Sequence, residues 1–339
     1  MKIILTGGQG FLGRRILEFL LAKGHTVLAV VRRTAPELTA LGAEIILTNL
    51  ADLTTLKAAP CWSKGVDGVI HCAAKSGIWG PLNDYIQANF IITFNLATLA
   101  RRLGATWFVY TSSPSVIHTG QPLAGVDESV PYAENPRHGY PYSKMLAERL
   151  ILSLNEPSFK TVALRPHLIW GPGDPHLLPR LIQRARSGSL FLFKSTALID
   201  ATYIDNAAHA HILAAEKLAA GAEIGGRVYF ITQGEPLTAI AMIEKLLAAA
   251  LPLQSPPHLR PKFQLPATWS RPVSFLLETV WSSLKLTGEP PLTRFLAEEL
   301  TLPHWFNLSR ARVELGYKPI VTLVEGLNRL AASFEINQQ

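Results

Sequence analysis

Cysteine is nearly absent: Cys61 and Cys72 are the two in 339 residues. Neither sits in a metal or redox spacing, and a chain of this size needs no disulfide to hold its core. Like charges never run to five in succession. That removes the basic arms of nucleic-acid binders even though the net charge is +7, a bias that an anionic cofactor or substrate accounts for equally well. No uncharged apolar stretch reaches the roughly 18–20 residues of a membrane span. The N-terminal MKIILTGGQG meets glycines too soon for a signal peptide. Internal repeats and low-complexity tracts are missing too. What remains is a soluble, cytoplasmic protein. With 48% hydrophobic and 17% charged residues it is too apolar for disorder.

Strands and helices alternate through the first half. Near-continuous apolar runs at 2–6, 25–31, 43–47, 66–72, 105–112 and 160–166 suit strands buried on both faces. Helical periodicity occupies 11–24, 53–59, 82–103 and 140–155. This alternation predicts an α/β doubly wound parallel sheet. Residues 1–166 form the dinucleotide domain, rejoined by a segment at about 203–233, and residues 167–339 form mostly a smaller C-terminal substrate lobe. Helices are expected there at 177–188, 203–221 and 272–286, with a proline-rich irregular stretch at 251–273. In the 272–286 helix, Val273, Leu276, Leu277, Val280, Trp281 and Leu284 share one stripe, read as core-facing because the polar face carries Glu278 rather than many lysines.

The stretch ILTGGQGFLG places Gly7, Gly10 and Gly13 between a strand and a helix. A tight turn there needs a residue free to adopt positive φ. Backbone can approach a pyrophosphate only where Cβ is missing, and the helix N-terminus then offers N–H donors. A ligand-free glycine turn is the plainer alternative. The second strand ends Val30-Val31-Arg32-Arg33, without the acidic residue that would take a ribose 2′-hydroxyl. A guanidinium takes a 2′-phosphate bidentately, so NADP(H) is preferred and NAD(H) is the alternative.

GYPYSKMLAERL (139–150) carries two tyrosines before one lysine. On a helix, residues four apart share a face. Tyr140 and Lys144 meet that condition, whereas Tyr142 and Lys144 do not. An ammonium beside the phenol is expected to lower its pKa, which suits proton exchange with a carbonyl or alcohol oxygen. YTSSPSV (110–116) follows a strand at the sheet edge where ligands bind. Ser112, Ser113 and Ser115 all compete to polarise that oxygen, or else to cap the next turn.

In combination, TGGQGFLG, the serine-bearing fifth strand, YPYSK and LRPHLIWGPGD resemble the extended short-chain dehydrogenase/reductase superfamily (the NAD-dependent epimerase/dehydratase kind) along nearly the whole chain. Residues 291–327 resemble its 3β-hydroxysteroid dehydrogenase branch. Residues 73–89, 110–118 and 161–188 are similar to the reductases of 2-alkyl-3-oxoalkanoic acids in bacterial long-chain olefin biosynthesis. The resemblance implies Ser113, Tyr140 and Lys144 as the catalytic set. It implies Gly7, Gly10, Phe11, Leu12 and Gly13 as the diphosphate loop, and Ala73 and Ala74 against the nicotinamide ribose. It places Pro166 and His167 beside the nicotinamide amide and Arg32 at the 2′-phosphate. Asn49 and Leu50 fall near adenine, where Thr48-Asn49 replaces the family's usual Gly-Asp. A hydrophobic keto or hydroxy acid substrate, a homodimer, partner enzymes of an olefin pathway and contact with a membrane surface are implied in the same way. A sterol dehydrogenase, a nucleotide-sugar epimerase and a non-enzymatic NADP sensor are the rival readings.

Other side chains have two readings. Lys75 and Trp79 line a substrate mouth or pack a loop. Arg180 and Arg184 share a helix face and hold an anionic head or are solvated. Asp205-Asn206 reads as a helix cap, and Trp305 and Phe306 as core. His209 and His211 point to different faces, so they form no metal site, and no metal is expected.

Overall fold

Seven parallel strands carry the molecule, and their order explains where a ligand belongs. In the computed structural model, which describes residues 1–52, 65–77, 79–134, 136, 138–188, 190–251 and 263–336, they are β1 (Lys2–Thr6), β2 (Thr26–Val31), β3 (Glu44–Leu47), β4 (Gly68–His71), β5 (Trp107–Thr111) and the strands Lys160–Pro166 and Arg227–Ile231. The spatial order from one edge is Arg227–Ile231, Lys160–Pro166, β5, β4, β1, β2, β3, and every neighbouring pair is parallel. The chain leaves β1 first toward β2 and then returns to lay β4 on its other side. That reversal opens a crevice at the carboxyl ends of β1 and β4. This is a Rossmann-type α/β doubly wound sheet.

Both faces of the sheet are covered. On one, the Phe11–Ala22 helix buries Gly13, Ile16, Leu17 and Leu20, and it packs beside the Ile204–Ala219 helix against Ile3, Leu5, Val109 and Leu164. On the other, the Ile92–Arg102 and Gly139–Ser153 helices close over Ile4, Val69, Phe108 and Ala163. A third apolar cluster, built on Trp170, Tyr203, Leu246 and Leu330, forms the smaller C-terminal lobe. A four-stranded sheet joins residues 123–126, 198–199, 237–238 and 304–306, and brings His304 toward the end of the main sheet.

Four details differ from the sequence expectations or lie beyond them. The helix expected at 82–103 contains a π-helical turn, Ile86–Ile91, that carries Asn89. The apolar stripe of the Ser270–Ser283 helix is split: Leu276, Val280 and Leu284 are exposed, Val273, Leu277 and Trp281 are half-buried, and Ser270, Ser274 and Glu278 are the buried positions. The reason is Glu278, whose carboxylate accepts hydrogen bonds from the Arg294 backbone N–H at 2.7 Å and from its guanidinium at 2.5 Å, so the polar face must turn inward. Asp205 and Asn206 do not cap their helix. Asp205 pairs with Arg15 at 2.7 Å and Arg329 at 3.0 Å, and Asn206 ties the helix to the backbone of Ile320 and Val321. The expected helix at 53–59, Cys61 and residues 252–262 of the proline-rich stretch lie outside the described residues. Phe306 is buried and stacks on Phe230 with ring centroids 4.3 Å apart, while Trp305 is half-buried.

Candidate active site

At the first end of the crevice the geometry depends on missing side chains. Gly7 has φ +76, and a Cβ there would stand 2.8 Å from the Ala73 nitrogen. A Cβ on Gly13 would stand 2.1 Å from the Gly7 carbonyl oxygen. The loop thus folds onto its own helix and onto the end of β4. It borders a cavity of about 470 Å³ lined by Gly7, Gly10, Arg32, Leu50, Ala73 and Ala74 among others. A groove of that size, walled by glycine backbone and one guanidinium, fits the phosphates of a dinucleotide. Arg32 is exposed at its rim. Phe11 and Leu12 do not line this cavity and pack instead against the apolar clusters. Asn49 is exposed and accepts a bond from the Ala51 N–H.

A chain of polar side chains connects this end to the reaction end. Thr6 Oγ1 holds the Ala73 N–H at 3.2 Å and lies 2.5 Å from His71 Nδ1. His71 Nε2 lies 2.8 Å from Thr93 Oγ1, which donates to the Asn89 carbonyl. Asn89 Nδ2 donates to Ser143 Oγ at 2.9 Å, and Ser143 donates to the Tyr140 carbonyl at 2.9 Å. His71 is fully buried, and desolvation holds its pKa at about 3, so it stays a neutral link. None of Thr6, His71, Asn89 or Ser143 stands out in the sequence. A histidine and an asparagine within otherwise apolar runs are the only hints.

Ser113, Tyr140 and Lys144 come together at the ends of β5 and the Gly139–Ser153 helix. Ser113 and Tyr140 border one cavity, and Ser113 accepts the Ser115 N–H at 3.2 Å, so it is the cap of the short Pro114–Ile117 turn. Ser112 and Ser115 are buried, and Ser115 borders the same cavity as Ser113 and Tyr140. Lys144 is buried. Its Nζ donates to the Thr111 carbonyl at 2.5 Å and sits 4.2 Å over the Tyr110 ring. Burial lowers its pKa to about 7. The expected lowering of the Tyr140 pKa is not found: burial raises it, and the neighbouring Ser113 side chain only partly opposes that. A phenol in that state is a proton donor at neutral pH. His211, fully buried with its pKa held down to about 4 by desolvation, lies 2.8 Å from the Thr111 hydroxyl and so supports the lysine's anchor.

The cavity in front of Ser113 and Tyr140 measures about 210 Å³ and is lined on its far side by His118, His167, Phe295, Glu299 and His304. His167 therefore faces the carbonyl end; neither it nor Pro166 lines the glycine-loop cavity. Glu299 is held ionised near pKa 2: the histidines beside it, His304 foremost, outweigh the upward push of burial. A separate open groove of about 800 Å³ is lined by Trp79, Leu82, Tyr142 and Phe275 together with polar residues such as His138, Glu278 and Arg294. Lys75 pairs with Asp84 at 2.7 Å. Arg180 pairs with Glu289 at 2.9 Å and Arg184 donates to the Pro291 carbonyl at 2.8 Å, so both arginines serve the 289–291 segment.

Known proteins share the sequence and the fold of this chain. The chain is 45% identical to the 2-alkyl-3-oxoalkanoate reductase of Stenotrophomonas maltophilia, over 98% of its own length and 99% of the relative's. It is 31% identical to the decarboxylating sterol-4-alpha-carboxylate 3-dehydrogenase of Mus musculus, over 98% and 91%. The solved structure of MoeE5 in complex with UDP-glucose and NAD shares the fold at TM-score 0.73 and 21% identity, with each chain covered completely. The family model described as 3-beta hydroxysteroid dehydrogenase/isomerase matches residues 4–261. With its glycine-walled crevice and its joined serine, tyrosine and lysine, the chain belongs to that family and is an oxidoreductase of the NAD(P)-dependent kind.

Proposed function

We propose that the protein reduces the 3-keto group of a 2-alkyl-3-oxoalkanoic acid to the 3-hydroxy acid, using NADPH. The observation that carries this is the cavity that Ser113 and Tyr140 line together. The dinucleotide, when bound, supplies the hydride. Ser113 Oγ and the Tyr140 hydroxyl receive the carbonyl oxygen, and Tyr140 gives it a proton as negative charge develops there. A phenol whose pKa is raised by burial is loaded for that direction. Lys144, fixed on Thr111, orients the Tyr140 helix and is placed to hold ribose hydroxyls. Arg32 at the rim of the cofactor cavity favours a 2′-phosphate. Two alkyl chains need apolar room, and Trp79, Leu82 and Phe275 supply apolar surface in a groove that also holds Glu278 and Arg294. The 45% identity to a reductase named for that substrate supports the same reading.

The test is to mix the purified protein with NADPH, or separately NADH, and a synthetic 2-alkyl-3-oxoalkanoic acid, following nicotinamide absorbance. Faster loss with NADPH is expected. No loss with either cofactor, together with NAD reduction on a 3β-hydroxysteroid, would move the assignment to the sterol activity named in the second relative.

A further inference from the structure

His167, Glu299 and His304 lie far apart in sequence yet converge on the cavity that holds Ser113 and Tyr140. His167 Nδ1 donates to the Asp200 carbonyl at 2.6 Å, and His304 Nδ1 donates to the Leu302 carbonyl at 2.9 Å. A backbone carbonyl can only accept, so each ring carries a hydrogen on Nδ1 and, when neutral, turns an Nε2 lone pair inward. Both Nε2 atoms face one carboxylate oxygen, Glu299 Oε2, at 3.4 Å and 3.3 Å. In that neutral form three acceptors meet at one point beside two buried rings.

Distance decides what belongs between them. An imidazolium donating to a carboxylate closes to about 2.7–2.9 Å. Two donors bound to one zinc-sized ion at about 2.0–2.1 Å in tetrahedral geometry stand about 3.4 Å apart. The two observed nitrogen–oxygen separations match the second case. All three atoms lie within 4.8 Å of one another. Histidine ligands of metals characteristically donate their other N–H to a backbone carbonyl or carboxylate, as both rings do here. His118, 3.9 Å from the other Glu299 oxygen and bonded to Glu298 at 2.9 Å, steadies the carboxylate from behind.

We propose that His167 Nε2, His304 Nε2 and Glu299 Oε2 form a site for one divalent transition-metal ion of the zinc class. Its open coordination position faces the Ser113–Tyr140 cavity. If the reading in the previous section holds, the ligand for that position is the substrate's own carboxylate, one carbon removed from the carbonyl. Two neutral imidazoles, one carboxylate and a divalent ion leave one net positive charge to meet it.

Untagged full-length protein, dialysed against chelator, is titrated with zinc chloride by calorimetry and, separately, with cobalt(II). One equivalent per chain and the visible absorption of four-coordinate cobalt are expected. Glu299→Gln and His304→Gln should each weaken zinc binding at least about tenfold, with thermal unfolding of the variants reporting that they fold. No saturable uptake by the unaltered chain, or equal uptake by both variants, overturns the site. For the anchoring role, kcat/KM is compared between the keto acid and the matched neutral ketone. The preference for the acid should fall on stripping the ion and return with zinc, and an unchanged ratio overturns that role. If neither compound is reduced, the functional reading fails while the titration still decides the metal site.

Discussion

At the glycine-loop end of the crevice the chain works with backbone and missing side chains, Gly7 and Gly13 pressed against Ala73 and against each other. At the carbonyl end it works with polar side chains gathered from Ser113, Tyr140, His167 and Glu299. The first kind of site tolerates no added atom. The second tolerates changes of shape but not the loss of a hydrogen-bonding group. The buried relay from Thr6 through His71 and Asn89 to Ser143 holds the two ends in register.

The sharpest break in this comparison separates chemistry from cofactor binding. Tyr140→Phe removes one oxygen and should lower kcat by about 10²–10⁴-fold while leaving the NADPH dissociation constant unchanged by fluorescence titration. Gly13→Val should do the reverse, abolishing measurable NADPH binding, since even a Cβ there meets the Gly7 carbonyl at 2.1 Å. Next is the wall between the ends. Arg165 and Glu148 form a buried bidentate pair at 2.5 Å and 3.1 Å, which Tyr132 joins at 2.8 Å. Glu148→Gln strands the guanidinium and should cost about 3–5 kcal/mol in denaturant unfolding.

Lys144→Met should lose turnover yet gain stability, with a definite pH dependence. Burial lowers the lysine's pKa from 10.5 to about 7. Below about pH 7 it is charged in both folded and unfolded chains and the whole burial penalty is present; toward pH 10.5 it becomes neutral in both and the penalty fades. The variant's gain in Tm should therefore be larger at pH 6 than at pH 9, and a pH-independent gain would contradict the assignment. The smallest effect is at the rim. Arg32→Ala should raise KM for NADPH about tenfold, the loss of a charge-assisted hydrogen bond, and leave KM for NADH alone in steady-state kinetics.

Legibility followed the same division. Strand and helix periods, the glycine loop and the Tyr140–Lys144 spacing are local features, and each fell within a few residues of where the sequence placed it. What escaped depends on partners distant in sequence. The 270–283 helix has a clear apolar stripe, but periodicity says only that a helix has two faces; Glu278 bound to Arg294 decides which one turns inward. The direction of the Tyr140 shift escaped because burial of the phenol, set by the packing around it, outweighs its local partners. His304 and Glu299 carry no recognisable ligand spacing with His167, and only the four-stranded sheet brings them to it.

The π turn at Ile86–Ile91 has a consequence for anyone editing this gene product. It stores one residue more than an α-helix would place in the same rise, and each helical residue rotates the side-chain direction by about 100°. Deleting any one of the other five residues of this turn would yield a more regular helix and swing Asn89 off Ser143 and away from the Lys75 backbone. The irregular turn thus works as a phase shifter, and a variant with the better-formed helix would be the one that loses the alignment between its two ends.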